Sequence, residues 1–256
     1  MDVRMFTVGP VAENSYVLRR EGSDRGLIVD PGDEADKLLG AIDGLGLTLE
    51  GILLTHTHFD HVGAVAPVAE ATGAEVWVPE TEAFVLADIN SFVPWPGFGP
   101  FESYEAEHTL KGGERLELAG FTIDVVFTPG HSPGHVTFSL PDERAVFSGD
   151  VLFRGSVGRT DLPGGDWDTL LESIRTLVDT LPEETTVYPG HMEVTSLGAE
   201  RRTNPFLEEL AARVRGHHVE GAARSLEPAR AHRASSARNG FDARSAPRLV
   251  TPMCPG

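Results

Sequence analysis

Thr55-His56-Thr57-His58-Phe59-Asp60-His61 sets three imidazoles and a carboxylate into seven consecutive residues, directly behind the apolar run Ile52-Leu53-Leu54. The run reads as the end of a buried strand, and a strand end can hold ligating side chains on stiff backbone. Alternate residues of extended chain share a side, so His56 and His58 face the same way. Asp60 and His61 lie just beyond, free to face a second ion. A polar surface turn is the bland alternative, but a cluster embedded in hydrophobic structure points to a metal centre.

Four residues from one turn cannot close two coordination spheres, so further donors are expected downstream. Three segments share one grammar, a β-rich run, then Gly or Pro, then a donor. They are Phe127-Thr128-Pro129-Gly130-His131-Ser132-Pro133-Gly134-His135, Phe147-Ser148-Gly149-Asp150 and Val187-Tyr188-Pro189-Gly190-His191. Singly each is weak, since a His after Pro-Gly is usually a solvated turn residue and Gly-Asp usually a cap or Asx turn. In this order, behind the first motif, they form a set.

With these segments in place, residues 2–210 resemble the metallo-β-lactamase superfamily, and within it the short, single-domain type of the glyoxalase II (hydroxyacylglutathione hydrolase) branch. The resemblance implies an α/β fold, an αββα sandwich of two mixed sheets with outer helices, and two metal ions between the outer loops. By position it implies His56, His58 and His135 on the first ion, Asp60, His61 and His191 on the second, and Asp150 bridging both. Asp60 is also taken as the catalytic carboxylate. His131 is implied to be a non-ligand, because the second histidine of Gly-His-x-x-Gly-His is taken to coordinate. Asp30-Pro31-Gly32 resembles a family element near the site, with a simple Pro-Gly turn as its alternative.

Imidazole and carboxylate without thiolate suit zinc and also iron or manganese, so ligand type alone does not choose the metal; two ions, zinc by expectation, are implied. Ligands shared by two ions leave positions open for water, whose pKa then falls from about 15.7 towards 7. Hydroxide so formed can attack an acyl carbon, and no protein nucleophile is required. The resemblance implies a small-molecule thioester as substrate, a hydroxyacyl thioester of glutathione or of another small thiol. Two other readings stay open. One is a mononuclear iron persulfide dioxygenase using His56, His135 and Asp150; the other is a metal-binding scaffold without catalysis. Thr57 and Phe59, between the ligands, look more like the hydrolases.

With 256 residues and 40% hydrophobic content, the chain can bury one sizeable core. Membrane spans need roughly 18 apolar residues in a row, and none is found. The opening Met1-Asp2-Val3-Arg4 reads as strand and not as a leader, and one cysteine suits a reducing compartment, so a cytoplasmic location is expected. A net charge of -18 argues against a nucleic-acid partner. No feature assigns an oligomeric state.

Alternation and turn residues predict strands over 5–8, 15–19, 26–29, 51–55 and 75–78, with helices over 34–45 and 61–72. An antiparallel run is expected over 115–118, 121–127, 136–140 and 145–148. The clearest helix is 167–181, capped by Asp166, with a core stripe of Trp167, Leu170, Leu171, Ile174, Leu177, Val178 and Leu181. Another helix is expected from Asn204 to Val214.

Residues 81–111 read as an irregular aromatic loop, holding Phe84, Phe92, Trp95, Phe98, Phe101 and Tyr104, that covers the site, a partner or its own core. Arg159 falls where glutathione-hydrolysing relatives carry a basic residue for a thiol-side carboxylate, and its alternative is an ion pair with Asp161. Asp161 stands where those relatives offer a tyrosine, and their basic helical domain has no room after His191. Both departures put glutathione specificity in question. The hydrolase domain is therefore expected over 1–215 and a disordered tail over 216–256, where six arginines face three acids.

Overall fold

A computed structural model describes residues 1–208. The tail expected over 216–256 lies outside them, as does the end of the helix expected from Asn204; residues 205–208 are helical. Two six-stranded sheets carry the architecture. The first opens as an antiparallel meander, β1 (Asp2–Val8), β2 (Glu13–Arg19) and β3 (Arg25–Val29). Helix α1 (Ala35–Gly44) then crosses to β4 (Thr48–Leu53), parallel to β3. Helices α2 (Phe59–Val62) and α3 (Val65–Thr72) lead to β5 (Glu75–Pro79), and α4 (Ala83–Ala87) precedes β6 (His108–Leu110), both strands again parallel to their neighbours.

The second sheet runs antiparallel through β7 (Arg115–Leu118), β8 (Phe121–Phe127), β9 (Val136–Leu140) and β10 (Ala145–Gly149). A small hairpin of β11 (Leu152–Phe153) and β12 (Ser156–Val157) and the helix α5 (Trp167–Thr180) follow. The chain then returns as β13 (Thr186–Pro189), parallel to β10, and closes with β14 (Thr195–Ser196) and α6 (Leu197–Thr203).

Side-chain alternation builds the layers. Along β2, Tyr16 and Leu18 face one way and Val17 the other; along β3, Leu27 and Val29 oppose Ile28. The first set meets Phe121, Ile123, Phe138 and Phe147 of the second sheet, which forms the core between the sheets. The opposite set buries Leu38 and Ile42 of α1 and Val65 and Val68 of α3. On the far side, Val146 and Val187 receive Leu170, Leu171, Ile174 and Leu177 of α5. The result is the expected αββα sandwich, each fully buried aliphatic side chain contributing roughly 1.5–3 kcal/mol. Asp166 caps α5 as expected, accepting from the Thr169 N–H at 2.8 Å.

The helix expected over 61–72 is two pieces, because the backbone breaks to bond the neighbouring loop. Ala64 N–H donates to Pro31 O at 3.0 Å, and a Cβ on Gly63 would come 2.5 Å from Gly32 O. The aromatic stretch is also not wholly irregular, since it contains α4 and β6.

Strand direction gathers the ligand loops. Because β10 and β13 are parallel and β9 is antiparallel to β10, the start of β9 and the ends of β10 and β13 share one edge. The ends of β3 and β4 and the start of β2 share the matching edge of the first sheet. Asn14 N–H to Gly190 O at 2.7 Å and Val136 N–H to Thr55 O at 2.8 Å sew the two edges together.

Candidate metal centre

His56 and His58 leave the end of β4 on the same side, and Asp60 and His61 lie in the first turn of α2. His56 Nε2 is 3.1 Å from His58 Nδ1, and His58 Nδ1 is 2.8 Å from His131 Nε2. A second group stands beside the first. His191 Nε2 is 3.4 Å and His61 Nε2 3.9 Å from Asp60 Oδ2. Asp150 lies between them, with Oδ1 3.4 Å from His61 Nε2 and Oδ2 3.4 Å from His131 Nε2 and 3.5 Å from His191 Nε2. The structure thus brings together His56, His58, Asp60, His61, Asp150 and His191, six of the seven residues singled out in the sequence.

His135 is the one singled-out residue that the structure does not bring into a donor cluster. Its Nδ1 bonds Thr128 Oγ1 at 3.0 Å, and its Nε2 accepts from the Asp150 N–H at 3.1 Å, so both ring nitrogens are spent. It stacks on the His56 ring at 5.0 Å and belongs to no donor cluster. His131 takes its place. Gly130, at φ 127 and pressed against the α5 backbone at Leu170, turns the loop inward. Arg159 O, 2.8 Å from His131 Nδ1, then accepts its proton and leaves Nε2 facing the cluster.

The donor set fits metal ions. His61 Nε2 and Asp150 Oδ1 are buried with no hydrogen-bond partner among the described residues, a costly state that a cation between them would relieve. A Cβ on Gly190 would lie 2.3 Å from Asp150 Oδ1, so glycine keeps that space open. Burial, with neighbouring imidazoles, pushes His56 well below the usual histidine range and His58 down to about 4. Both are therefore neutral at pH 7, as ligands must be. Burial alone would raise Asp60 and Asp150, but the charges on His61 and His191 outweigh it and hold both carboxylates ionised.

Carboxylates behind the donors set their orientation. Asp30 Oδ2 lies 3.0 Å from His61 Nδ1, which leaves Nε2 to face the site, and Asp30 also accepts from Thr55 N–H and Oγ1 at 2.7 and 2.6 Å. The Asp30-Pro31-Gly32 segment is thus more than a turn. Buried Glu13, its pKa raised by burial, lies 3.8 Å from His61 Nδ1. The sequence reading missed Glu13, which falls there between the strands expected over 5–8 and 15–19.

Arg159 pairs with Asp161 through two bonds of 2.6 and 2.7 Å, and its guanidinium lies 5.8 Å from the Trp95 ring centroid. Phe59, inside the ligand motif, touches the rings of Trp95, Phe98 and Phe101. The aromatic loop therefore packs on its own core and also borders the ligand turn. Gly130-His131-Ser132-Pro133-Gly134 spells a Gly-x-Ser-x-Gly pattern, but Ser132 Oγ has no hydrogen-bond partner among the described residues and so no base to activate it.

Residues 8–191 match the metallo-β-lactamase superfamily. The chain belongs to that superfamily. It is 42% identical over 212 residues to the "probable metallo-hydrolase YqgX" of Bacillus subtilis, covering 81% of this chain and 98% of the relative. It is 39% identical over 220 residues to the hydroxyacylglutathione hydrolase GloC of Haemophilus influenzae, again covering 81% and 98%. Among solved structures it is similar to TTHA1623 in a di-iron-bound form, with 43% identity and a TM-score of 0.66 over 80% of this chain and 100% of that one. The fold described above is that of the superfamily. Among the described residues no helix is long and apolar enough to cross a membrane.

Proposed function

We propose that this superfamily member is a binuclear metal-dependent hydrolase of small thioesters, zinc being the first choice of metal and iron or manganese the alternatives. The observation that carries this reading is the position of Asp150, within 3.5 Å of donors from both clusters. His56, His58 and His131 would hold one ion and Asp60, His61 and His191 the other, with Asp150 between them. Such ions, when bound, lower the pKa of water towards 7 and polarise an acyl carbonyl.

The protein's own part is orientation and proton handling. Asp30 and Arg159 O fix the rings of His61 and His131. Asp60, held ionised, is the carboxylate placed to take a proton. Arg159 borders the approach beside Trp95 and would receive a carboxylate of the thiol carrier by giving up Asp161. That exchange costs little, because the pair is exposed and screened by solvent. The name of the GloC relative supports a hydroxyacyl thioester as substrate.

The deciding experiment joins elemental analysis of purified protein with a thiol-release assay on S-lactoylglutathione. About two metal ions per chain with thiol release is the expected result. About one iron, no thiol release and oxygen uptake with glutathione persulfide would overturn it in favour of a dioxygenase.

A further inference from the structure

Glu82 is a buried carboxylate that neither the donor clusters nor any ion pair of the described residues uses. It stands at the end of the turn Glu80–Glu82, just ahead of α4. Its Oε2 accepts from the N–H and the hydroxyl of Thr57 at 2.9 and 3.0 Å. Its Oε1 accepts from the N–H of Gly134 at 2.7 Å. Thr57 is the residue between His56 and His58, and Gly134 lies in the turn between His131 and His135. One side chain therefore bonds both loops that supply the first donor cluster. A Cβ on Gly134 would fall 2.9 Å from Glu82 Cγ, so the approach is tight.

Three donors from two loops converge on one carboxyl group, and these bonds are shielded from water. The separation of the two loops is the separation of His58 from His131, which stand at 2.8 Å. We propose that Glu82 is a positioning residue that sets the spacing of His56 and His58 against His131 and so the affinity of that site for its metal ion. The proposal rests on reading those three histidines as ligands.

Glu82→Gln keeps the size but turns an NH2 group towards the donor of either Thr57 or Gly134. The test uses the full chain stripped of metal, titrated with zinc against a chelating indicator and with cobalt by visible absorption. Glu82→Gln is expected to weaken one site by about 10- to 100-fold and to shift the cobalt bands. A purely structural role would lower the melting temperature of the metal-free protein with both metal readouts unchanged, and that result overturns the proposal. Should Glu82→Gln fail to fold, Thr57→Val decides, since it removes only the hydroxyl donor. Weakening by about threefold or more supports the proposal and unchanged affinity overturns it. No substrate enters either titration, so the wrong choice of thioester would leave this result standing.

Discussion

The backbone N–H of Asp150 donates to Nε2 of His135 at 3.1 Å. This bond fixes the carboxylate that joins the two donor clusters, and it also takes His135 out of the ligand set. On the proposed reading His135 supports the bridge and His131 is the donor. His131→Ala is therefore expected to weaken metal binding by about 10-fold or more, the scale on which even supporting partners act. His135→Ala is expected to leave two ions bound while costing about 1–3 kcal/mol of stability through its unpaired partners. Chelator competition and urea unfolding on both variants check this, and reversed metal phenotypes would restore His135 as the ligand.

Asp150→Ala removes a carboxylate that approaches donors of both clusters. Metal content is expected to fall from two ions to one or fewer, and thiol release by at least about 100-fold, at the upper end of losses seen around metal sites. Elemental analysis and turnover on the same preparation check it. Full metal content with unchanged turnover would end the binuclear reading.

Arg159 bonds His131 through its backbone O, while its side chain lies beside Trp95. Arg159→Ala leaves the backbone carbonyl in place, so metal content is expected to stay constant. KM for an anionic thioester should rise about 5- to 10-fold, the worth of a charge-assisted contact, with KM for a neutral thioester barely moved. Steady-state kinetics on the two substrates separate them, and equal changes would deny Arg159 a role in recognition.

The motif from Thr55 to His61 was legible because its donors are contiguous and the strand before them is uninterrupted apolar sequence. Asp150 and His191 were legible through their strand ends. The choice between His131 and His135 was not, since both are histidines in one short turn. It is made by the φ of Gly130, by Arg159 O and by an N–H from the end of β10, none of which is local to the motif. Asp30 lay in a segment that resembles a family element near the site and Glu82 inside the aromatic stretch, but only tertiary packing gives either its donors. Strands as short as β11, β12 and β14 carry no period to detect.

Acid should loosen the metal-stripped protein for a reason that the donor cluster supplies. His56 and His135 are held well below the ordinary 6.5 by burial, and His58 by burial and His131, to about 4. A histidine lowered in the folded state binds fewer protons there than in the unfolded chain, so stability falls as pH drops from about 6.5 towards 4. His61 and His191 work oppositely. Burial would lower them, but Asp150 raises both, so their contribution is full below 6.5 and is lost as pH climbs through their raised values. Across the window from 6.5 to about 4 those two stay charged, and the three lowered histidines set the slope against Glu13, whose raised pKa works the other way. The urea midpoint of chelator-treated protein is expected to fall steadily across that window, and the midpoint of the His58→Asn variant to fall less. A midpoint that is flat in the wild type and unchanged by His58→Asn would mean that these imidazoles take up protons as readily in the folded chain as in the unfolded one, and the neutral cluster would be wrong.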